Sequence, residues 1–330
     1  KKGGRIVRNG KLSSEELKEY VLKKTSLRNP EIIQSAGLAE DCGAVRTNKT
    51  LLLTTDPITA SGRNAGKLAI YVSANDIAVS GDKPLCCLLT VIAPPSATAE
   101  DVGAFMNEAS DTARSMGIDI IGGHTEFSDA VNRMVVSCAM VGTTSKIVKS
   151  SGAKAGDSIV MTKSAALEAT CIMANDYADR LIAGGLTSDE LEEARGYIEK
   201  IPVLKEAEIA KKANVSCMHD VTEGGVYGAV CELAEASGLG ATIYADRIPV
   251  THVTAKICRV LEVSPMRLIG SGSALIVTSE PEKIIKALGK ARIEATVIGT
   301  MRSKKEVTAI GVGKTEKVKT APDELLRINK

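Results

Sequence analysis

Apolar residues recur at steps of three and four through GKLAIYVSANDIAVSG, where Ala69, Val72 and Val79 share one face and predict a helix over residues 65–80. Asp76 falls in the same stripe. Burying a carboxylate without a partner costs several kcal/mol, so either the stripe is less buried than it looks or a cationic group meets Asp76.

Elsewhere the pattern predicts a mixed α/β chain. Ser13 and Ser14 cap a first helix, with Glu15 and Glu16 in its first turn. The stretch KTLLLTTDP (49–57) reads as a strand that presents Asp56 at its C-terminal end, because Pro57 holds the residue before it extended and stops the strand. Strands are expected at 85–91, 118–121 and 133–141, with a long helix at 98–116; the strand at 118–121 opens into GGHTE (122–126). A Gly/Ser/Lys turn, SSGAKAGDSIVMT, delivers the chain into a further strand. Helices are then expected at 165–183, 188–200 and 204–213, followed by HDVTEGGV and a helix ending near residue 237. Strands at 241–245 and 274–278 and a helix after Pro281 complete the pattern. The resulting division is an arm and helix over 1–37, an α/β domain over 38–150 and a second over 151–330.

Composition narrows the classes. The 330 residues suffice for two cores. Hydrophobic residues at 44% and charged ones at 25% suit a soluble globular chain. Aromatics make up 2%, with no Trp, so the stacking platforms of single-stranded nucleic-acid binders are missing. The 42 basic and 40 acidic residues are interspersed, leaving a net charge of +2 and neither a nucleic-acid footprint nor a polybasic membrane patch. The apolar run LCCLLTVIA falls well short of the ~20 residues of a membrane span, and no cleavable hydrophobic signal opens the chain. Eight cysteines form no CxxC pair. They read as buried free thiols in a reducing compartment, which makes the cytoplasm the expected location.

Four acids end or follow apolar segments beside Gly, Thr or Asn: Asp41 in AEDCGAV, Asp56 in TTDP, Asp76 in SANDIA and Asp220 in MHDVTEGG. Gathered carboxylates suit a hard divalent cation, although each acid alone is equally explained as a turn former or helix cap. The glycine pairs in GGHTE and TEGG let backbone amides approach phosphate oxygens, or are plain turns. His124 and His219 stand alone in different halves and read as polar loop residues near the site. Cys42 reads as a small buried residue rather than a nucleophile.

In order along the chain, DCGAV, TTD, GKLAIYVSANDIAVSGDKPL, IGGHTE, SGAKAGDSIVMT and HDVTEGGV resemble one superfamily, over about residues 38–299. It contains aminoimidazole-ribotide synthetase, selenophosphate synthetase, thiamine-monophosphate kinase and the hydrogenase-maturation protein HypE. The resemblance implies a two-domain PurM-like fold, dimerising through its N-terminal sheet, with ATP and Mg²⁺ in a cleft near that interface. It sets Asp41, Asp56, Asp76 and Asp220 on metal-binding positions with Asn75 alongside, and Gly122 and Gly123 on the nucleotide-contacting stretch with His124 beside them. No catalytic residue is assigned.

The segment GKLAIYVSANDIAVSGDKPL resembles the HypE branch most closely. The implied function is ATP-dependent activation, by phosphorylation, of an oxygen on a small-molecule or partner-bound substrate, in hydrogenase or other metalloenzyme maturation. The alternatives are a non-catalytic nucleotide-binding accessory protein of a maturation complex, or a small-molecule kinase of the same fold. Expected partners are a second copy of the chain and a maturation-complex protein, with no nucleic acid and no membrane. Departures from the HypE pattern are visible. The last cysteine, Cys258, lies 72 positions before Lys330, whereas HypE carries its substrate on a C-terminal cysteine, and His124 and Glu223 stand where an aspartate and an arginine are expected.

Overall fold

The structure is a computed structural model that describes residues 10–25, 27–35, 42–59, 63–213, 215–311 and 313–328. Most of the expected N-terminal arm (1–9) and the candidate ligand Asp41 lie outside the described residues. Two units are distinguished, one of residues 1–77 and 82–145, the other of 78–81 and 146–330.

In the first unit, β1 (Gly10–Lys11) precedes α1 (Ser14–Tyr20), where Ser13 and Glu16 close a reciprocal capping box. A short ribbon of β2 (Ile32–Gln34) and β3 (Ala44–Val45) follows. Then come β4 (Thr50–Ile58), α2 (Ala65–Ser80), β5 (Lys83–Ala93), α3 (Ala99–Met116), β6 (Asp119–Phe127) and β7 (Val135–Thr144). The sheet order is β1-β6-β5-β7-β4. Only β5 and β6 run parallel, because α3 carries the chain from one to the other.

Two expectations are corrected here. Pro57 does not stop its strand: β4 continues to Ile58, pairing Asp56 with Cys138 and Ile58 with Val136. It lies at the sheet edge, where a residue without an N–H leaves no ladder bond unmade. Nor is GGHTE a loop, since Gly123 pairs with Leu89, His124 with Thr90 and Glu126 with Ile92. The glycines serve a close approach of strands: a Cβ on Gly123, whose φ is +145°, would stand 1.9 Å from the Leu89 carbonyl oxygen.

The second unit begins with β8 (Ser158–Thr162), α4 (Leu167–Asp176), α5 (Ala178–Ala183), α6 (Ser188–Gly196), α7 (Leu204–Lys211), β9 (Cys217–Asp220) and α8 (Gly225–Ala236). It ends with β10 (Gly240–Tyr244), α9 (His252–Leu261), β11 (Ala274–Thr278), α10 (Pro281–Lys290), β12 (Ala295–Arg302), β13 (Val307–Gly311) and β14 (Lys314–Val318). The expected helix over 165–183 is broken into α4 and α5 around Tyr177. Seven strands are ordered β14-β13-β10-β12-β8-β11-β9.

Alternate residues of β8 feed different cores, as strand geometry requires. Ile159 and Met161 pack with Val226, Val230 and Leu233 of α8. Val160 packs with Ala207 and Ala210 of α7 and with Ile284 and Leu288 of α10. Because β11 is antiparallel to both β8 and β9, the C-terminal ends of those two strands meet the start of β11, with Ala274 opposite Asp220. No helix among the described residues is long and apolar enough to cross a membrane.

Candidate functional site

Along β4 side chains alternate, Leu51, Leu53, Thr55 and Pro57 exposed, Thr54 and Asp56 half-buried. The half-buried pair faces α2. Thr54 Oγ1 donates to Asp76 Oδ2 across 2.6 Å, and Ser73 Oγ donates to Asp56 Oδ2 across 3.1 Å. Strand residues 54 and 56 thus meet helix residues 76 and 73, and both carboxylates lie on one seam. The rest of the helical stripe is buried as its spacing predicts, with Ala69, Val72 and Val79 all inside. Asp76 itself is only half-buried and accepts a hydrogen bond from the Thr54 hydroxyl. Partial exposure removes much of the desolvation cost that called for a cation.

Asn75, 100° round the helix from Asp76, is completely buried. Gly122 is half-exposed, and Gly123 and His124 are exposed on β6; His124 Nε2 lies 3.1 Å from Glu126 Oε2, two residues along the same strand face. His124 is therefore a strand residue rather than a loop residue, and so is His219 on β9.

Asp220 ends β9 in the second unit and is 1% exposed. Beside it, His219 Nε2 lies 2.9 Å from Glu232 Oε2 on α8 and His219 Nδ1 lies 3.7 Å from Asp220 Oδ1. The hydrogen bond from His219 holds the Glu232 carboxyl below its ordinary value. Among the described residues, no three His, Cys, Asp or Glu side chains are grouped closely enough to hold a metal ion.

Two carboxylates and two hydroxyls meet on the β4–α2 seam. That donor set fits Mg²⁺, which takes one or two protein carboxylates and fills its shell with phosphate oxygens and water. The buried cysteines make poor nucleophiles. Seven are buried, and burial pushes the Cys86 and Cys258 thiols up to about 12 and Cys217 to about 11. Cys42, expected to be buried, is exposed.

Of the two readings of the second glycine pair, the plain turn is the one that fits. Gly224 and Gly225, with φ of +79° and +66°, turn the chain into α8, and the Gly224 N–H already donates to Asp323 Oδ2 across 2.9 Å. The sequence did not single out Asp323; its only local signal is an acid placed to cap the short turn over 324–327. On the other face of the first sheet, Leu51, Leu53 and Leu88 are exposed, Leu53 to 75%.

Residues 39–144 match the model of the AIR synthase related protein N-terminal domain, and residues 154–312 match that of the C-terminal domain. A Methanocaldococcus jannaschii protein assigned to hydrogenase expression and formation is 26% identical over 281 residues, covering 83% of this chain and 81% of that protein. Carbamoyl dehydratase HypE of Escherichia coli is 26% identical over 265 residues, 78% of this chain and 76% of that one. The crystal structure of the hydrogenase maturation protein HypE in complex with ATP superposes with a TM-score of 0.79 over 96% of both chains at 19% identity, a likeness of fold.

Proposed function

The chain belongs to the AIR synthase related protein family, and on that premise we propose that it uses ATP with Mg²⁺ to activate an oxygen by phosphorylation. The oxygen belongs to a small molecule or a partner-bound group, as in the HypE branch, and the setting is hydrogenase or other metalloenzyme maturation in the cytoplasm. One observation carries the reading: Asp56 and Asp76 share a seam with the hydroxyls of Thr54 and Ser73, one side from TTD, which resembles the superfamily, and the other from GKLAIYVSANDIAVSGDKPL, which resembles the HypE branch. Asp41, Asp56, Asp76 and Asp220 would hold Mg²⁺, which neutralises phosphate charge when bound. Asn75, Gly122, Gly123 and His124 would border the nucleotide. The hydroxyls of Thr54 and Ser73 orient the two carboxylates before any ligand arrives, so less reorganisation is needed on binding.

The exposed leucines of the first sheet support a homodimer formed through that face, since apolar sheet surface of this kind marks an interaction site. The test of function is turnover. Purified protein with Mg²⁺ and ATP is assayed against amide, thiocarbamate and phosphate-ester substrates, following both free phosphate and phosphorylated product. Free phosphate with a dehydrated product supports the HypE-like reaction, whereas phosphate retained on a metabolite identifies a kinase. Absence of both across the panel refutes an enzymatic role.

A further inference from the structure

One local backbone bond, from the Gly225 N–H to the Thr222 carbonyl at 3.1 Å, closes the turn between β9 and α8, and no side chain of its own caps the helix. Gly224 occupies the N-cap of α8, and without a side chain it offers no oxygen to the first amides of the helix. Gly224 and Gly225 both adopt left-handed backbone, which glycine populates freely and leaves without steric restraint. On one side the turn is pressed against the chain at 266–268: a Cβ on Gly225 would stand 2.6 Å from the Met266 carbonyl oxygen and 2.8 Å from that of Leu268.

Asp323 is a second support. It is 3% exposed, and its two oxygens accept from different segments: Oδ2 from Gly224 N at 2.9 Å, 99 residues away, and Oδ1 from Leu325 N at 2.9 Å. Its own segment is anchored independently. Glu324 Oε2 accepts from Ser264 N at 2.6 Å, Tyr177 donates its hydroxyl to the Ile328 carbonyl at 3.4 Å, and Ile328 is buried in the cluster that contains Met173, Leu181 and Leu261. Burial pushes the Asp323 carboxyl above its ordinary value, with Glu223 adding to the effect. A serine at 224 could not take its place, because the backbone is left-handed there and its hydroxyl would reach the N2 or N3 amide rather than the Gly224 N–H. What Asp323 adds is a tie between the turn and a rigidly held distant segment.

We propose that Asp323 is a positioning residue that sets the 221–225 turn and, through it, the direction in which Asp220 presents its carboxylate. The same contact withdraws the Gly224 amide from phosphate binding. The consequence for nucleotide binding rests on the reading of Asp220 as a magnesium ligand; the positioning itself does not.

Amide hydrogen exchange on the full chain, without nucleotide, tests the positioning directly. Asp323→Ala should speed exchange in the peptide spanning 220–226 by about tenfold or more, the scale of a lost hydrogen bond to a charged group, while peptides from β10 and β12 keep wild-type rates. Asp323→Asn retains one oxygen for two donors and should fall between. Unchanged exchange at 220–226, or equal acceleration throughout the unit, overturns the proposal. A parallel calorimetric titration with MgATP should show Asp323→Ala binding about tenfold more weakly than wild type. Wild-type protein that fails to bind MgATP, with the local exchange effect present, refutes the magnesium reading and leaves the positioning role standing.

Discussion

Asp76→Asn separates the structural role of that carboxylate from the ligand-binding role proposed for it. Thr54 Oγ1 donates to it across 2.6 Å. A hydrogen bond to a charged acceptor contributes about 1.5–3 kcal/mol and a neutral one about 0.5–1.5. The amide keeps an acceptor oxygen, so the exchange gives up about 1 kcal/mol before the discount for a half-exposed site. Removing one of two negative charges from the seam acts in the opposite direction. The net effect on stability is within about 1 kcal/mol, a melting shift of roughly 4 °C or less. Turnover should respond differently if the proposed role holds, because removing one preorganised group that stabilises transition-state charge, such as an oxyanion-hole donor, costs about 2.7–4 kcal/mol, or about 10²–10³ in rate. Thermal denaturation, calorimetric titration with MgATP and phosphate release measure the three quantities on one preparation. The reasoning is refuted if the variant binds and turns over ATP like wild type, or if it loses more than about 3 kcal/mol of stability.

Gly123→Ala puts a Cβ 1.9 Å from the Leu89 carbonyl and should destabilise the first unit by about 3 kcal/mol in urea titration. Gly117→Ala, left-handed at φ +70° but with open space around it, should cost only about 1–2 kcal/mol; equal effects would contradict the crowding argument. Leu53→Asp should convert a dimer to a monomer in sedimentation experiments, and an unchanged mass would remove the exposed sheet face from consideration. Native protein should show one fast thiol towards a maleimide at pH 8, lost in Cys42→Ser, with the buried thiols reacting only on unfolding. Glu232 is held below its ordinary 4.5 by His219. It therefore contributes stability above that value and loses it as pH falls through the folded value; Glu232→Gln should flatten the acid limb of melting temperature against pH.

Much of the secondary structure follows from local periodicity. The bounds of α2 agree with those expected, although its buried residues surround the helix rather than form one stripe, α3 starts after the capping box of Thr98 and Asp101, and Ser13 starts α1. Periodicity failed where an element's character depends on its neighbour. Pro57 reads as a strand terminator and is tolerated because β4 lies at an edge. Gly122 and Gly123 read as a turn and are strand residues because β5 passes too close for a side chain. The helix over 252–261 and the strands after 294 were not anticipated: their short apolar runs are held by the clusters that contain Val253, Ile257, Ile298 and Ala309.

The acids that end or interrupt apolar runs are visible in the sequence as breaks in the pattern. Their partners are not. Thr54 lies 22 residues from Asp76, and Asp323 lies 99 from Gly224. Propensity, capping and period act over a few residues and are written in the sequence alone. A hydrogen bond between distant segments depends on the path of the backbone and the packing of cores, and only the folded tertiary structure brings its two ends together.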